Sequence, residues 1–141
     1  RAPRSALDDA HVAMTAARVI GEHGIGQGAV AVNGLVVAVE AAEGTDAMLQ
    51  RVGDLHAKGR VKWSGRAGVL AKRSKPQQDL RVDMPTIGPR TVAAVAGAGL
   101  AGIVIEAGRV MIAERAEALK AAETSGTFIL ATTDDELRQK P

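Results

Sequence analysis

A single α/β domain, built as a mixed sheet with β-hairpins and packed by about four helices, is predicted by three observations. Apolar residues recur at helical spacing in several segments, and short Val- and Ile-rich runs lie between them. Asn33-Gly34, flanked by AVAV and LVVAV, is the strongest short hairpin signal a sequence offers. The 141 residues, 46% apolar with 16 Gly, suffice for one real core joined by tight turns.

The elements follow in order. Ser5 is the expected N-cap of a first helix, with Asp8 and Asp9 in its opening turn and Val12, Ala13, Ala16, Val19 and Ile20 at helical spacing. Gly21 and Gly24 stop it. A two-residue turn at Asn33-Gly34 sets a register in which Val32 faces Leu35, Val30 faces Val37 and Gln27 faces Glu40. One hairpin face then carries Val30, Val32, Leu35, Val37 and Val39. The other, with Ala29, Ala31, Val36 and Ala38, is small enough for a helix to approach closely. A second helix runs from about Thr45, its cap, to His56, with Met48, Leu49, Val52 and Leu55 as its stripe. Lys58 to Arg66 is basic, Gly-containing and aperiodic, hence a loop. AGVLAK reads as a short buried strand, and the polar SKPQQD leads from it to VDMPTIGPRT (Val82 to Thr91).

Gly88-Pro89 opens a helix through Val92, Val95 and Ala96, since proline suits the first helical position, and Ala98-Gly99 closes it. GIVIEA and RVMIA, between Gly102 and Ala113, read as a strand pair around Ala107-Gly108. A last helix spans about Glu114 to Ser125, followed by the strand TFILAT. From Thr133 the chain reads as a polar, frayed tail, which sets the domain at 1–132 and the tail at 133–141.

Composition narrows the function classes. Trp63 and Phe128 are the only aromatics and the formal charge is +2, so there is neither a stacking platform nor a basic stripe for nucleic acid. No apolar run reaches the length of a membrane span. The absence of cysteine rules out disulfides and thiolate chemistry and fits a reducing compartment, so the default expectation is a cytoplasmic protein. Because the chain starts at Arg1 in a linker-like stretch, it is expected to be part of a longer protein.

Chemistry concentrates around VDMPTIGPRT. An acid, Asp83, stands just before Pro85, and the helix start at Gly88-Pro89 offers free N–H groups and partial positive charge to a phosphate. The preceding residues Lys72, Lys75, Gln78, Asp79 and Arg81 combine cations that neutralise phosphate oxygens with a carboxylate that holds a hard ion or orients water. A solvated charge run is the alternative for these residues; the rigid turns at Pro76 and PTIGP favour fixed side chains. A second helix start, Glu43-Gly44-Thr45-Asp46, follows the hairpin. GIGQG (Gly24 to Gly28, including Gly26 and Gln27) enters the hairpin's open end, where glycines either admit a ligand or serve the turn alone. It matches neither the dinucleotide fingerprint nor a P-loop. His11, His23 and His56 fit no metal spacing and read as structural. Trp63, among Lys58, Arg60, Lys62 and Arg66, reads either as a surface tryptophan on a mobile loop or as a contact to anionic headgroups.

The strings IGQGAVAVNGLVVAVEAAEGTDAML, KRSKPQQDLRVDMPTIGPRT and AGLAGIVIEAGRV, in this order, resemble the C-terminal domain of the UDP-2,3-diacylglucosamine pyrophosphatase family, in the bacterial form unrelated to calcineurin-like phosphatases. The resemblance spans the chain from the first helix to about Thr132. It implies hydrolysis of UDP-2,3-diacylglucosamine to 2,3-diacylglucosamine 1-phosphate (lipid X) and UMP, an early step of lipid A synthesis, with a divalent cation, usually taken as Mg²⁺. The family's essential aspartate corresponds to Asp83. EGTD (Glu43 to Asp46) and the Lys75–Asp79 stretch are hallmarks, which assigns Glu43, Asp46, Asp79 and Asp83 to metal and Gly26, Gln27, Thr45, Lys72, Lys75, Gln78, Arg81, Thr86 and Gly88 to substrate. The acyl chains need an apolar groove, for which the Ala- and Val-lined hairpin faces are candidates. The family's N-terminal domain is absent from this chain and is an expected partner, beside a homodimer and peripheral contact with the inner membrane. The Lys58–Arg66 loop looks longer than the family leads one to expect. A non-catalytic lipid or nucleotide-sugar binding module, or an oligomerisation domain, is the alternative function.

Overall fold

The computed structural model describes residues 2–77 and 79–139. Among these the chain forms α1 (Arg4–Glu22), β1 (Gly28–Val32), β2 (Leu35–Val39), α2 (Thr45–Ala57), β3 (Val69–Lys72), β4 (Thr86–Ile87), α3 (Pro89–Gly97), β5 (Gly102–Glu106), β6 (Met111–Ile112), α4 (Arg115–Ser125), β7 (Phe128–Thr132) and α5 (Asp134–Gln139). The main sheet has the order β2-β1-β3-β5-β7. β1 is antiparallel to β2 and β3, whereas β3, β5 and β7 run parallel. The expected mixed α/β architecture is present, with five helices.

Two cores flank the sheet. On one side α1 buries Ala6, Ala10, Ala13, Met14 and Ala17, and its cluster includes Ala31, Val69, Ala71 and Val104 from the strands. Small side chains on both partners let the helix lie close to β1 and β3, as the alanine face of the hairpin suggested. On the other side Val30, Leu70, Ile103 and Ile105 pack with Met48, Leu49 and Val52 of α2 and Val92 and Val95 of α3. Burying the three α2 side chains contributes about 1.5–3 kcal/mol each. That outweighs the roughly 1 kcal/mol cost of Gly53 inside the helix. Gly53 faces α3, where an added Cβ would stand 3.6 Å from Ala98 Cα.

Several expectations are corrected. The N-cap of α1 is the extended Pro3, not Ser5, and the buried stripe is the Ala6–Met14–Ala17 face, leaving Val19 44% exposed. An alanine-surfaced sheet selects the helix face that approaches closest, not the one with the largest apolar groups. The hairpin register holds at Val32–Leu35 and Ala31–Val36, then shifts to Val30–Ala38 and Ala29–Val39. Val37 is therefore an extra residue, Ala38 joins the Val30 core, and Glu40 lies across from Gly28, with Glu40 N donating to Gly28 O at 2.8 Å. A turn does form at Ala107-Gly108, closed by Arg109 N donating to Glu106 O, but it makes no hairpin. β5 is claimed on both edges by β3 and β7, so β6 leaves to pair in parallel with β4. Thr45 is the first residue of α2, whose cap is Gly44.

The frayed tail is also replaced. α5 is held because Arg73 donates Nη1 to Asp134 Oδ1 at 2.8 Å and Nη2 to Oδ2 at 3.2 Å, while Leu137 is buried in the α1 core. These hydrogen bonds from Arg73, aided by the fields of Arg73, Arg18 and Arg138, hold the Asp134 carboxyl below its ordinary range. The Lys58–Arg66 segment is a loop as expected, yet Trp63 is tied down. Its indole donates to Gly99 O at 3.0 Å and its ring lies 3.6 Å from that of His56. His56 is thus structural.

Asp9 links the first helix to the hairpin. It is 2% exposed, and its two oxygens accept Asn33 N at 3.0 Å and Gly34 N at 2.7 Å. Both turn residues have positive φ, 51° and 81°, as a type I′ turn requires. Asp9→Ala is expected to lower stability by about 1.5–3 kcal/mol, the usual worth of hydrogen bonds to a charged group. A urea titration with an unchanged midpoint would remove Asp9 from this role.

Candidate active site

The carboxyl end of β3 places Lys72 between the layers. Its register partners are Gly28 on β1 and Ile105 on β5, so the side chain cannot swing far from the sheet edge. Lys72 Nζ donates to Thr86 O at 2.9 Å, which ties β3 to β4. Burial pushes its pKa below the ordinary lysine value, against the opposing pull of the carboxylates of Glu40, Asp46 and Asp83. A lysine among three acids, kept partly from water, is the electrostatic centre of this region.

Two helix starts converge on it. α2 begins after Gly44, with φ 87° and ψ 169°, a conformation essentially confined to glycine. α3 begins after Gly88 with Pro89 as its first residue, and Thr91 Oγ1 accepts Gly88 N at 3.1 Å. Neither helix has a cap side chain bonded to its first turn. Gly44, Thr45 and Asp46 from one start, Gly88, Pro89 and Thr91 from the other, and Lys72 between them line one cavity of about 460 Å³. The two partial positive ends, Lys72 and Arg90 favour an anion, against the carboxylates of Glu43, Asp46 and Glu114 in the same lining.

Of the residues named from sequence, Glu43, Thr45, Asp46, Lys72, Thr86 and Gly88 meet at this cavity. Glu43 is paired there with Arg51 at 2.5 Å and Asp46 with Arg90 at 3.3 Å. Asp83 is exposed on the neighbouring loop, within electrostatic reach of Lys72. Its amide donates to Asp79 O at 3.0 Å.

The remaining residues stand elsewhere. Asp79 and Arg81 bind each other, Nε to Oδ1 at 3.1 Å and Nη2 to Oδ2 at 3.2 Å, and neither lines the cavity. Hydrogen bonds from Arg81 keep the Asp79 carboxyl below its ordinary range. Asp79 shapes the turn that carries Asp83, accepting Val82 N and Asp83 N on its carbonyl. Gly26 is needed for packing, since a Cβ there would stand 2.1 Å from Glu40 O. Gln27 O accepts Arg73 N at 3.0 Å; Gln27 and the half-buried Lys75 do not line the cavity. Gln78 lies outside the described residues. On the hairpin faces considered for acyl chains the β1 residues are filled, Ala31 under α1 and Val30 in the opposite core, while Leu35 and Val36 of β2 are exposed. A separate groove of about 480 Å³ is lined by Met84, Ile105, Val110, Met111 and Ile129, with Arg115 among them.

Sequence reasoning missed Glu40, Arg90 and Thr91. Glu40 is buried, and its Oε2 accepts Thr45 Oγ1 at 2.5 Å. The bulge at Val37 hid its placement. Arg90 lines both this cavity and a groove of about 620 Å³ between α2 and α3; only its position just after Pro89 could have signalled it.

Fold and site together define a class: an α/β domain that gathers helix starts and a lysine near the carboxyl ends of parallel strands. The chain belongs to the LpxI C-terminal domain family, whose model matches residues 1–130. It is 52% identical over 130 residues to the UDP-2,3-diacylglucosamine pyrophosphatase LpxI of Caulobacter vibrioides, an alignment covering 92% of this chain and 46% of that protein. The chain thus spans about half the length of this curated relative.

The lowered pKa of Lys72 has two consequences. With the folded value below the unfolded one, the charged lysine costs stability at neutral pH, and the cost is relieved as pH rises through the folded value toward the unfolded one. Lys72→Met is therefore expected to melt no lower than the parent chain at pH 7. An anion in the cavity favours the protonated lysine, so binding takes up protons as pH approaches and passes the Lys72 pKa. Sulfate, whose own charge is constant over this range, should bind more weakly as pH rises through the Lys72 pKa. Calorimetric titration showing the same pH dependence in Lys72→Met would overturn this assignment.

Proposed function

We propose that this chain supplies the catalytic half of an enzyme that hydrolyses the pyrophosphate bond of UDP-2,3-diacylglucosamine, giving 2,3-diacylglucosamine 1-phosphate and UMP in lipid A synthesis. The observation that carries the reading is the convergence of Lys72 and the starts of α2 and α3 on one cavity, with Asp83 within electrostatic reach of Lys72, in a chain half identical to a protein of that name. Lys72 and the two helix starts hold phosphate oxygens, so that charge on the departing phosphate meets fixed donors. Asp83 orients the attacking water and takes its proton as the new P–O bond forms and the anhydride P–O bond breaks.

A divalent cation fits this donor set in one manner. Among the described residues, no three His, Cys, Asp or Glu side chains form a ready cage. Asp83 and Asp46 are instead suited to a hard ion whose shell is completed by water and substrate phosphates, as Mg²⁺ prefers. When bound, the ion would draw charge from the phosphate oxygens. The acyl chains are assigned to the groove beside Met84. The remainder of the longer protein is the assigned partner that closes over the nucleotide. The reaction is placed at the cytoplasmic face of the inner membrane, where Lys58, Arg60 and Lys62, all exposed, meet anionic headgroups. No helix among the described residues is long and apolar enough to cross a membrane.

The test uses the full-length protein with UDP-diacylglucosamine and Mg²⁺. Asp83→Ala is expected to slow UMP release by about 10²–10⁴-fold, the usual worth of a general base, with its circular dichroism unchanged. Unchanged turnover would remove Asp83. Ligand retained without UMP release by the parent protein would instead identify a binding module.

A further inference from the structure

Both ends of the loop that carries Asp83 are gripped by a single segment. The loop leaves β3 at Arg73 and re-enters regular structure at Thr86. At its start, Glu106, the last residue of β5, accepts Arg73 Nη2 on Oε2 at 3.0 Å and both Ser74 N and Ser74 Oγ on Oε1, at 3.2 and 3.0 Å. Arg109 reinforces this, donating Nε to Ser74 Oγ at 2.7 Å and lying 3.4 Å from Glu106 Oε1. At the far end, Met111 N donates to Pro85 O at 2.9 Å and Ala113 N to Ile87 O at 2.8 Å.

We propose that Glu106 is a positioning residue for the hydrolysis: by fixing Arg73 and Ser74 it sets where the following loop presents Asp83. The proposal rests on the hydrolase reading above. Its basis is geometric. Glu106 uses both oxygens on the first two residues after Lys72, and its side chain and that of Arg73 are only 15% and 9% exposed. A buried ion pair of this kind contributes little net stability over apolar residues of equal volume. What the carboxylate supplies here is direction: it receives three donors, two of them on Ser74. Glu106 itself does not line the cavity that would hold phosphate, so it acts through the loop and not on substrate.

The experiment measures UMP release by the full-length protein carrying Glu106→Leu, Glu106→Gln or Ser74→Ala, with Asp83→Ala as reference. Glu106→Leu is expected to lower kcat about 10–100-fold, the scale of a misplaced reacting group, with KM changed less than about threefold. Glu106→Gln, which keeps one acceptor for Ser74, should recover part of the loss, and Ser74→Ala should show a smaller loss. In an Asp83→Ala background Glu106→Leu should add nothing, because both act through one carboxylate. Independently of turnover, hydrogen exchange on this chain should quicken at Val82 and Asp83 in Glu106→Leu while the β1 amides keep their protection. If Glu106→Leu fails to fold, the Ser74→Ala kinetics and exchange decide. Normal kcat in the folded variants, additivity with Asp83→Ala, or unchanged exchange at Val82 and Asp83 would each overturn the positioning role and leave the hydrolase reading intact. Absence of UMP release by the parent protein removes the hydrolase reading, and with it the catalytic role of Glu106.

Discussion

Parallel pairing of β3 with β5 is the constraint on which the site depends. It sets Lys72 opposite Ile105 and leaves Arg73 and Glu106 one residue beyond, at the same edge of the sheet. Ligands of open α/β sheets collect outside the carboxyl ends of the strands, because loops and helix starts meet there. In this chain the same edge receives the exit of the hairpin through Glu40 and the turn from β4 into α3. A single slip of the β3–β5 register would reverse the face of every side chain on β3 and separate Lys72 from both helix starts.

Charge at this edge is arranged in pairs around one lysine. Glu43 is matched by Arg51 and Asp46 by Arg90, and on the loop away from the cavity Asp79 is matched by Arg81. These pairs are exposed enough that each adds little to stability, so their value lies in holding side chains in place. Lys72 differs: it is half-buried, its hydrogen bond goes to a backbone carbonyl, and the acids around it share its field. An arriving phosphate would meet a cation already stripped of part of its water, which strengthens the attraction at some expense to the folded state.

Much of this was readable from the residues, and the failures have physical causes. Asn33-Gly34, the α2 stripe and the Gly88-Pro89 start are local signals, set within a few residues, and each is present where the sequence placed it. The two helix starts were also legible singly, though no spacing in the chain says that they share a cavity. The bulge at Val37 was invisible because valine fits either face of a strand, and one extra residue displaced Glu40 from its expected partner. The Ala107-Gly108 turn looked like a hairpin because turn chemistry is local, while the competition of β3 and β7 for β5 is not. α5 was missed because its docking depends on Arg73, more than sixty positions away in the chain.

The same bulge bears on the outer margin of the sheet. β2 is one of the two edge strands of the main sheet, and it shows Leu35 and Val36, 60% and 38% exposed, to water. A straight strand with such side chains would be a template on which another molecule could add its own backbone, sheet to sheet. The irregular spacing at Val37 interrupts the row of outward amides and carbonyls and twists the strand at that point. One extra valine thus breaks the regularity of an exposed margin while it sets Glu40 across from Gly28.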